Sequence, residues 1–223
     1  MPRANRKTSP EKGASQRRKK NDTPVNKRGE ATVVAIIEAA EQLWGIHGLE
    51  GASLRHIGQA AGSANKAAIT YHFGSKDELI SAIFNHRMAS LDARRRPLFD
   101  AAQAEGRLND TYTLLSLLVR PLAEEVDRNG RRSYTHFLRA LGRFDRVAAR
   151  RDLSLTVYRI FELLPKSVPH VPGPVLRTRL SLVMDMCFSA VIAQDDRASK
   201  PKTNAKLLDD VLKASVYLLS MPV

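Results

Sequence analysis

From Thr32 to the C-terminus the apolar residues recur at the spacing of one helical face and nowhere alternate as a half-buried strand requires. A chain with that single period can build its core only by packing helices on helices. The fold class expected is therefore all-α. Val33, Ile36, Ile37, Ala40, Leu43 and Trp44 mark an opening helix from Thr32 onward, with Gly45 and Gly48 as places to stop. Ser53 is a candidate N-cap for a helix barely two turns long, carrying Leu54, Ile57 and Ala61 on one side and ended by Gly62. Asn65 can cap a further short helix through Thr70 to His72. Gly74 breaks it before Ser75-Lys76-Asp77-Glu78, a capping-box pattern that opens a long helix from Lys76 to about Glu105, bent or interrupted near Pro97.

Later apolar stripes fall on Leu114 to Leu122, Tyr134 to Leu141 and Leu153 to Leu164. Pro165, Pro169, Pro172 and Pro174 predict a loop over 165–174, since each also restricts the residue before it. Two helices are expected after it, about 175–195 and 204–220. The first is apolar over most of its circumference, and the second has a clean stripe from Leu207 to Leu219. The longest apolar stretch, Leu180 to Ala193, is broken by Asp185 and is too short to cross a bilayer, so no membrane role is expected.

The chain of 223 residues carries a formal net charge of +13, which favours a polyanionic partner. More than half of the charge sits in the first 30 residues, where ten Lys and Arg face three acidic residues and Val25 is the lone branched aliphatic. Residues 1–30 are read as a disordered basic arm, serving either as a non-specific phosphate contact or as a solubilising tail. A single cysteine, Cys187, and the lack of an apolar signal stretch point to a reducing cytoplasm. Cys187 lies between Met186 and Phe188 without nearby positive charge, the setting of an inert core thiol.

Enzymatic chemistry finds little support. The six histidines form no His-Glu-x-x-His pair, so no metal site is expected, and Asp195-Asp196, adjacent on a helix, point to different sides. No nucleophile with a base, no paired carboxylates at helical spacing and no glycine-rich phosphate loop appear. Neither an enzyme nor a cofactor is expected.

Two short helices around a glycine-containing turn are, by contrast, the geometry that sends one helix across the DNA backbone and the next into the major groove. Small and polar residues at the start of the second, Asn65, Lys66, Ala67, Ala68 and Thr70, suit close approach to bases. Ser53, Tyr71, His72 and Lys76 stand at element ends, where hydroxyls, amides and charge can hold phosphates. A non-specific architectural DNA binder driven by the basic arm remains the alternative.

The stretch from Val33 to about Arg87 resembles the DNA-binding domain of the TetR family of bacterial repressors. The resemblance rests on the alanine-rich opening helix ending in Gly48-Leu49, on Ser53-Leu54-Arg55-His56-Ile57, on Ala61-Gly62, and above all on Ala68-Ile69-Thr70-Tyr71-His72-Phe73-Gly74-Ser75-Lys76. It implies base-proximal positions for Arg55, Lys66, Ala68 and Thr70, backbone contacts for Ser53, Tyr71, His72 and Lys76, and a structural role for Phe73. The turn before Asn65 holds two residues, Ser63 and Ala64, one more than is usual, as in a subset of the family. The architecture implied is a three-helix helix-turn-helix domain over 31–77, followed by a larger helical domain over 78–223. That domain would bind a small-molecule effector, with Phe137, Leu141, Phe144, Tyr158, Phe161 and Met184 as candidate pocket residues. It would also form a homodimer through the last two helices, so that a repressor sits on a palindromic double-stranded operator.

Overall fold

A computed structural model describes residues 24–62, 72–142, 154–195 and 201–223. Among them every regular element is an α-helix: α1 (Pro24–His47), α2 (Leu54–Ala60), α3 (Lys76–Ala104), α4 (Thr111–Glu124), α5 (Ser133–Ala140), α6 (Leu155–Ser167), α7 (Gly173–Ile192) and α8 (Pro201–Ser220). No helix among the described residues is long and apolar enough to cross a membrane.

The opening stripe packs as its period demands: Ile36, Ile37, Ala40 and Trp44 are buried along one face of α1. Its start differs from the expectation. The helix begins at Pro24, eight positions before Thr32, so the arm boundary drawn at residue 30 falls inside it. Proline is well suited to a first helical position, where its missing N–H is not needed. Gly45 is no stop either, because α1 continues to His47. A Cβ at Gly45 would stand 2.9 Å from the Cβ of His136 and 3.2 Å from the backbone nitrogen of Phe137, so the glycine lets α1 and α5 cross at close range. The stop is Gly48, whose positive φ of 76° and amide bond to the Trp44 carbonyl (2.9 Å) close the last turn.

The long helix α3 opens as read, with the Ser75 hydroxyl accepting from the Glu78 amide at 3.2 Å. It then runs unbroken through Pro97, where an interruption was expected. The bond that proline forfeits would have reached the carbonyl of Ala93, and both residues lie on the exposed side, where solvent can satisfy the carbonyl. The proline-rich loop is likewise shorter than expected. Pro165 sits inside the last turn of α6, and Pro174 occupies the first turn of α7, where an N–H has no intrahelical partner, leaving 168–172 between the two helices.

Helices α1, α3 and α5 meet in an aromatic cluster. Trp44 stacks on Phe137 with centroids 6.3 Å apart, and Phe84 sets its edge on Phe137 (5.9 Å) and on Tyr134 (6.1 Å). Residue 77, the boundary read from the sequence, lies in the first turn of α3, whose later turns pack on α4 and α6. Helices α7 and α8 pack on each other, and α8 is tied to α4 by the Tyr112 hydroxyl, which donates to Asp209.

Candidate nucleic-acid interface

The frame of the interface is set by one turn. The Trp44 indole donates from Nε1 to the Ala52 carbonyl at 2.9 Å, folding the 48–53 segment back along the end of α1. Gly51 makes that fold possible: a Cβ there would stand 2.1 Å from the His47 carbonyl oxygen. Ser53 follows in an extended conformation, its hydroxyl accepting from the His56 amide at 3.2 Å. With Ile57 and Gly58 buried, α2 turns Arg55, His56 and Gln59 outward, so Ser53 and Arg55 both reach the surface. His56 and Gln59 share that exposed face and were not singled out from the sequence, although their spacing to Ser53 and Arg55 was there to read.

Gly62 leaves α2 with a positive φ of 69°, as its place in the sequence suggested. Ser63, Ala64, Asn65, Lys66, Ala67, Ala68, Thr70 and Tyr71 lie outside the described residues. The chain is described again at His72, which is exposed, and Phe73, which is 7% exposed and belongs to the core shared with α1 and α3. Gly74 then turns with φ of 63°, and Ser75 starts α3.

Lys76 stands at the head of α3 with two partners. Its Nζ lies 2.8 Å from a Glu50 carboxylate oxygen and 5.9 Å from the centre of the Trp44 ring. Glu50 is almost fully exposed, so the ion pair is weak and a phosphate can compete for the ammonium.

Behind this surface a buried ionic network joins α1 to the rest of the protein. Arg87 of α3 binds Glu41 through Nε (2.7 Å) and Nη2 (2.8 Å) and Glu125 through Nη1 (3.1 Å); Glu125 also takes Arg94 at 2.6 Å, and the Ser133 hydroxyl donates to Glu41. Burial alone would push the Arg87 guanidinium down. The hydrogen bonds and charges of Glu41 and Glu125 overcome it and hold Arg87 above the ordinary arginine value.

Further along α3, a cavity of about 50 Å³ lies between α3, α4, α5, α6 and α7. Of the candidate pocket residues, Phe161 and Met184 line it. Phe137 does not: it is fully buried in the aromatic cluster against Trp44, because the Gly45 crossing brings α1 onto that side of α5. Leu141 is buried at the end of α5 and Tyr158 is half-buried on α6, both off the lining, and Phe144 lies outside the described residues. The lining also includes Arg95, which the sequence reading passed over. Its signal was the stripe Phe84, Met88, Leu91, Arg95, in which a cation occupies the next position of an apolar face. Arg95 is 3% exposed; its Nε donates to the Leu117 carbonyl at 3.0 Å and its Nη1 meets Asp92 at 3.1 Å. Burial lowers its pKa, with Asp92 opposing.

Residues 36–83 match the model of the bacterial regulatory proteins of the tetR family. Two curated relatives, each named HTH-type transcriptional repressor AcnR, come from Corynebacterium efficiens and Corynebacterium glutamicum; they are 40% and 39% identical to this chain over 62 residues. The matched stretch covers 28% of this chain and 30% of the length of either relative. The match over residues 36–83 falls on the caps, glycines and buried aromatics that build this frame, and it is that stretch which is similar to the bacterial regulatory proteins of the tetR family.

Proposed function

We propose that the protein is a DNA-binding transcriptional regulator of the bacterial cytoplasm, a homodimer that represses from a palindromic operator until a small-molecule effector releases it. The observation that carries the reading is the coincidence of the matched stretch with a described frame whose outward residues are Ser53, Arg55, His72 and Lys76. In this reading 31–77 is the DNA-binding domain, and 78–223 binds effector and dimerises. Arg55, Lys66, Ala68 and Thr70 approach bases, and Ser53, Tyr71, His72 and Lys76 hold phosphates, with Asn65 as cap and Ala67 as a small residue that permits close approach. The basic arm adds sequence-independent attraction.

Dimerisation is assigned to α7 and α8, where Leu182 and Tyr217 are 57% and 71% exposed, large apolar surface that a two-fold partner would cover. Effector coupling is supported by adjacency in the chain. Met88 and Tyr134 line the cavity, and their neighbours Arg87 and Ser133 bind Glu41 of α1. A ligand that moves those turns shifts α1, and a coupling of roughly 1 to 3 kcal/mol suffices for release.

The test is to sequence genomic fragments retained by the purified protein, then to compare Lys66→Ala and Thr70→Ala on a recovered site and on its scrambled version. A base-reading role predicts loss on the recovered site alone. Equal loss on both would reduce these residues to phosphate contacts, and no preference among fragments after deleting residues 1–30 would favour the architectural alternative.

A further inference from the structure

The cavity residues carry information about the effector's chemistry, an inference that rests on the pocket reading above. Among the described residues twelve line the cavity: eleven are uncharged, with Tyr134 the one polar residue among them, and the twelfth is Arg95. A guanidinium has five N–H donors. The bonds of Arg95 to Leu117 and Asp92 use Nε and Nη1, and Nη2 makes no hydrogen bond among the described residues. The compensating carboxylate is also unequally placed: the Asp92 side chain is 22% exposed, against 4% for that of Arg95, so water shares Asp92 while the cation stays inside.

We infer that the cavity takes an amphipathic monoanion, a small organic acid with an apolar body, whose charged head pairs with Arg95. The alternatives fare worse on elementary grounds. A cationic ligand would meet a like charge in a medium of low effective dielectric. A pure hydrocarbon would cover guanidinium N–H groups without giving them an acceptor, which costs free energy. A carboxylate does the reverse, supplying a charge-assisted hydrogen bond where the described residues leave a donor over, while the tail lies against Leu91, Leu118 and Phe161. The resting volume of about 50 Å³ suits a water or two. Met88 and Met184, unbranched and adaptable, are the lining side chains best able to repack around a larger guest. Burial already depresses the Arg95 pKa, so an anion would relieve a cost the folded chain bears.

The experiment is calorimetric titration of the full-length protein with octanoate and with octan-1-ol, the same chain with and without the charge, at neutral pH. The wild type should bind octanoate roughly tenfold or more tighter than the alcohol, the scale of one charge-assisted hydrogen bond. Arg95→Met should erase that preference while keeping alcohol binding, and Arg95→Lys, which keeps the charge should Arg95→Met fail to fold, should retain most of it. Equal binding of both probes to wild type, or a preference untouched by Arg95→Met, overturns the anion assignment and leaves the pocket standing. Binding of neither probe overturns the pocket as well.

Discussion

Arg87 grips both carboxylate oxygens of Glu41, at 2.7 and 2.8 Å, where Glu41 has no exposure to solvent at all. Removing one member of such a pair leaves the other charge buried without its partner. Glu41→Leu or Arg87→Met alone should therefore cost about 3 to 5 kcal/mol. The double variant should cost clearly less than the two together, since neither stranded charge remains; urea denaturation of all three gives the comparison.

On the proposed function, substitution of Lys76 should separate stability from DNA affinity. Its exposed pair with Glu50 predicts that Lys76→Ala changes stability by less than about 1 kcal/mol. The same substitution should weaken DNA binding for all sequences and reduce the salt dependence by roughly one phosphate contact. Glu50→Gln, which frees the ammonium, should tighten binding; fluorescence anisotropy across a salt series reads both.

Gly45→Ala sets two effects against each other. Alanine gains about 1 kcal/mol of helix propensity over glycine. Against that, the new methyl would stand 2.9 Å from the Cβ of His136 and 3.2 Å from a backbone nitrogen that cannot swing aside. Overpacking of about 1 to 3 kcal/mol should win, and thermal melting should show a lower Tm than wild type.

Burial raises the Cys187 thiol to about 11, with a weaker opposing hydrogen bond from Ser215. At pH 8 the thiol should resist Ellman's reagent in the native protein and react at once in urea. Because the folded state keeps the proton longer than the unfolded chain, this contribution to stability is complete below about pH 9 and is lost as pH rises toward 11. Urea midpoints across that window should fall in wild type and less in Cys187→Ala.

Local chemistry was legible in the sequence where one residue decides a turn. Ser53, Ser75, Gly62 and Gly74 act through their own side chain or φ angle, and each stands in the structure as a cap or a turn. Proline was over-read for the same reason. Its rule concerns one lost hydrogen bond, and Pro97 and Pro165 sit where losing it is tolerable: on an exposed face and in a final turn. Gly45 illustrates the opposite limit, since what it does depends on a helix some ninety residues away. The pocket divided along this line too. Phe161 and Met184 face the cavity, but nothing local told Phe137 that α1 would cover it. Arg95 and Glu41 were hidden in plain view, each a charge standing in line with an apolar stripe, a pattern that marks a buried and partnered ion rather than a surface one.

The chain has a single tryptophan, and it occupies the joint where the Ala52 carbonyl, the Lys76 ammonium and the Phe137 ring converge. Red-edge excitation of the unlabelled protein therefore selects one indole at the junction of α1, α3 and α5. Any event that lifts the lysine from its face or slides α5 beneath it will register as a change in emission, so the protein carries its own reporter of movement at that joint.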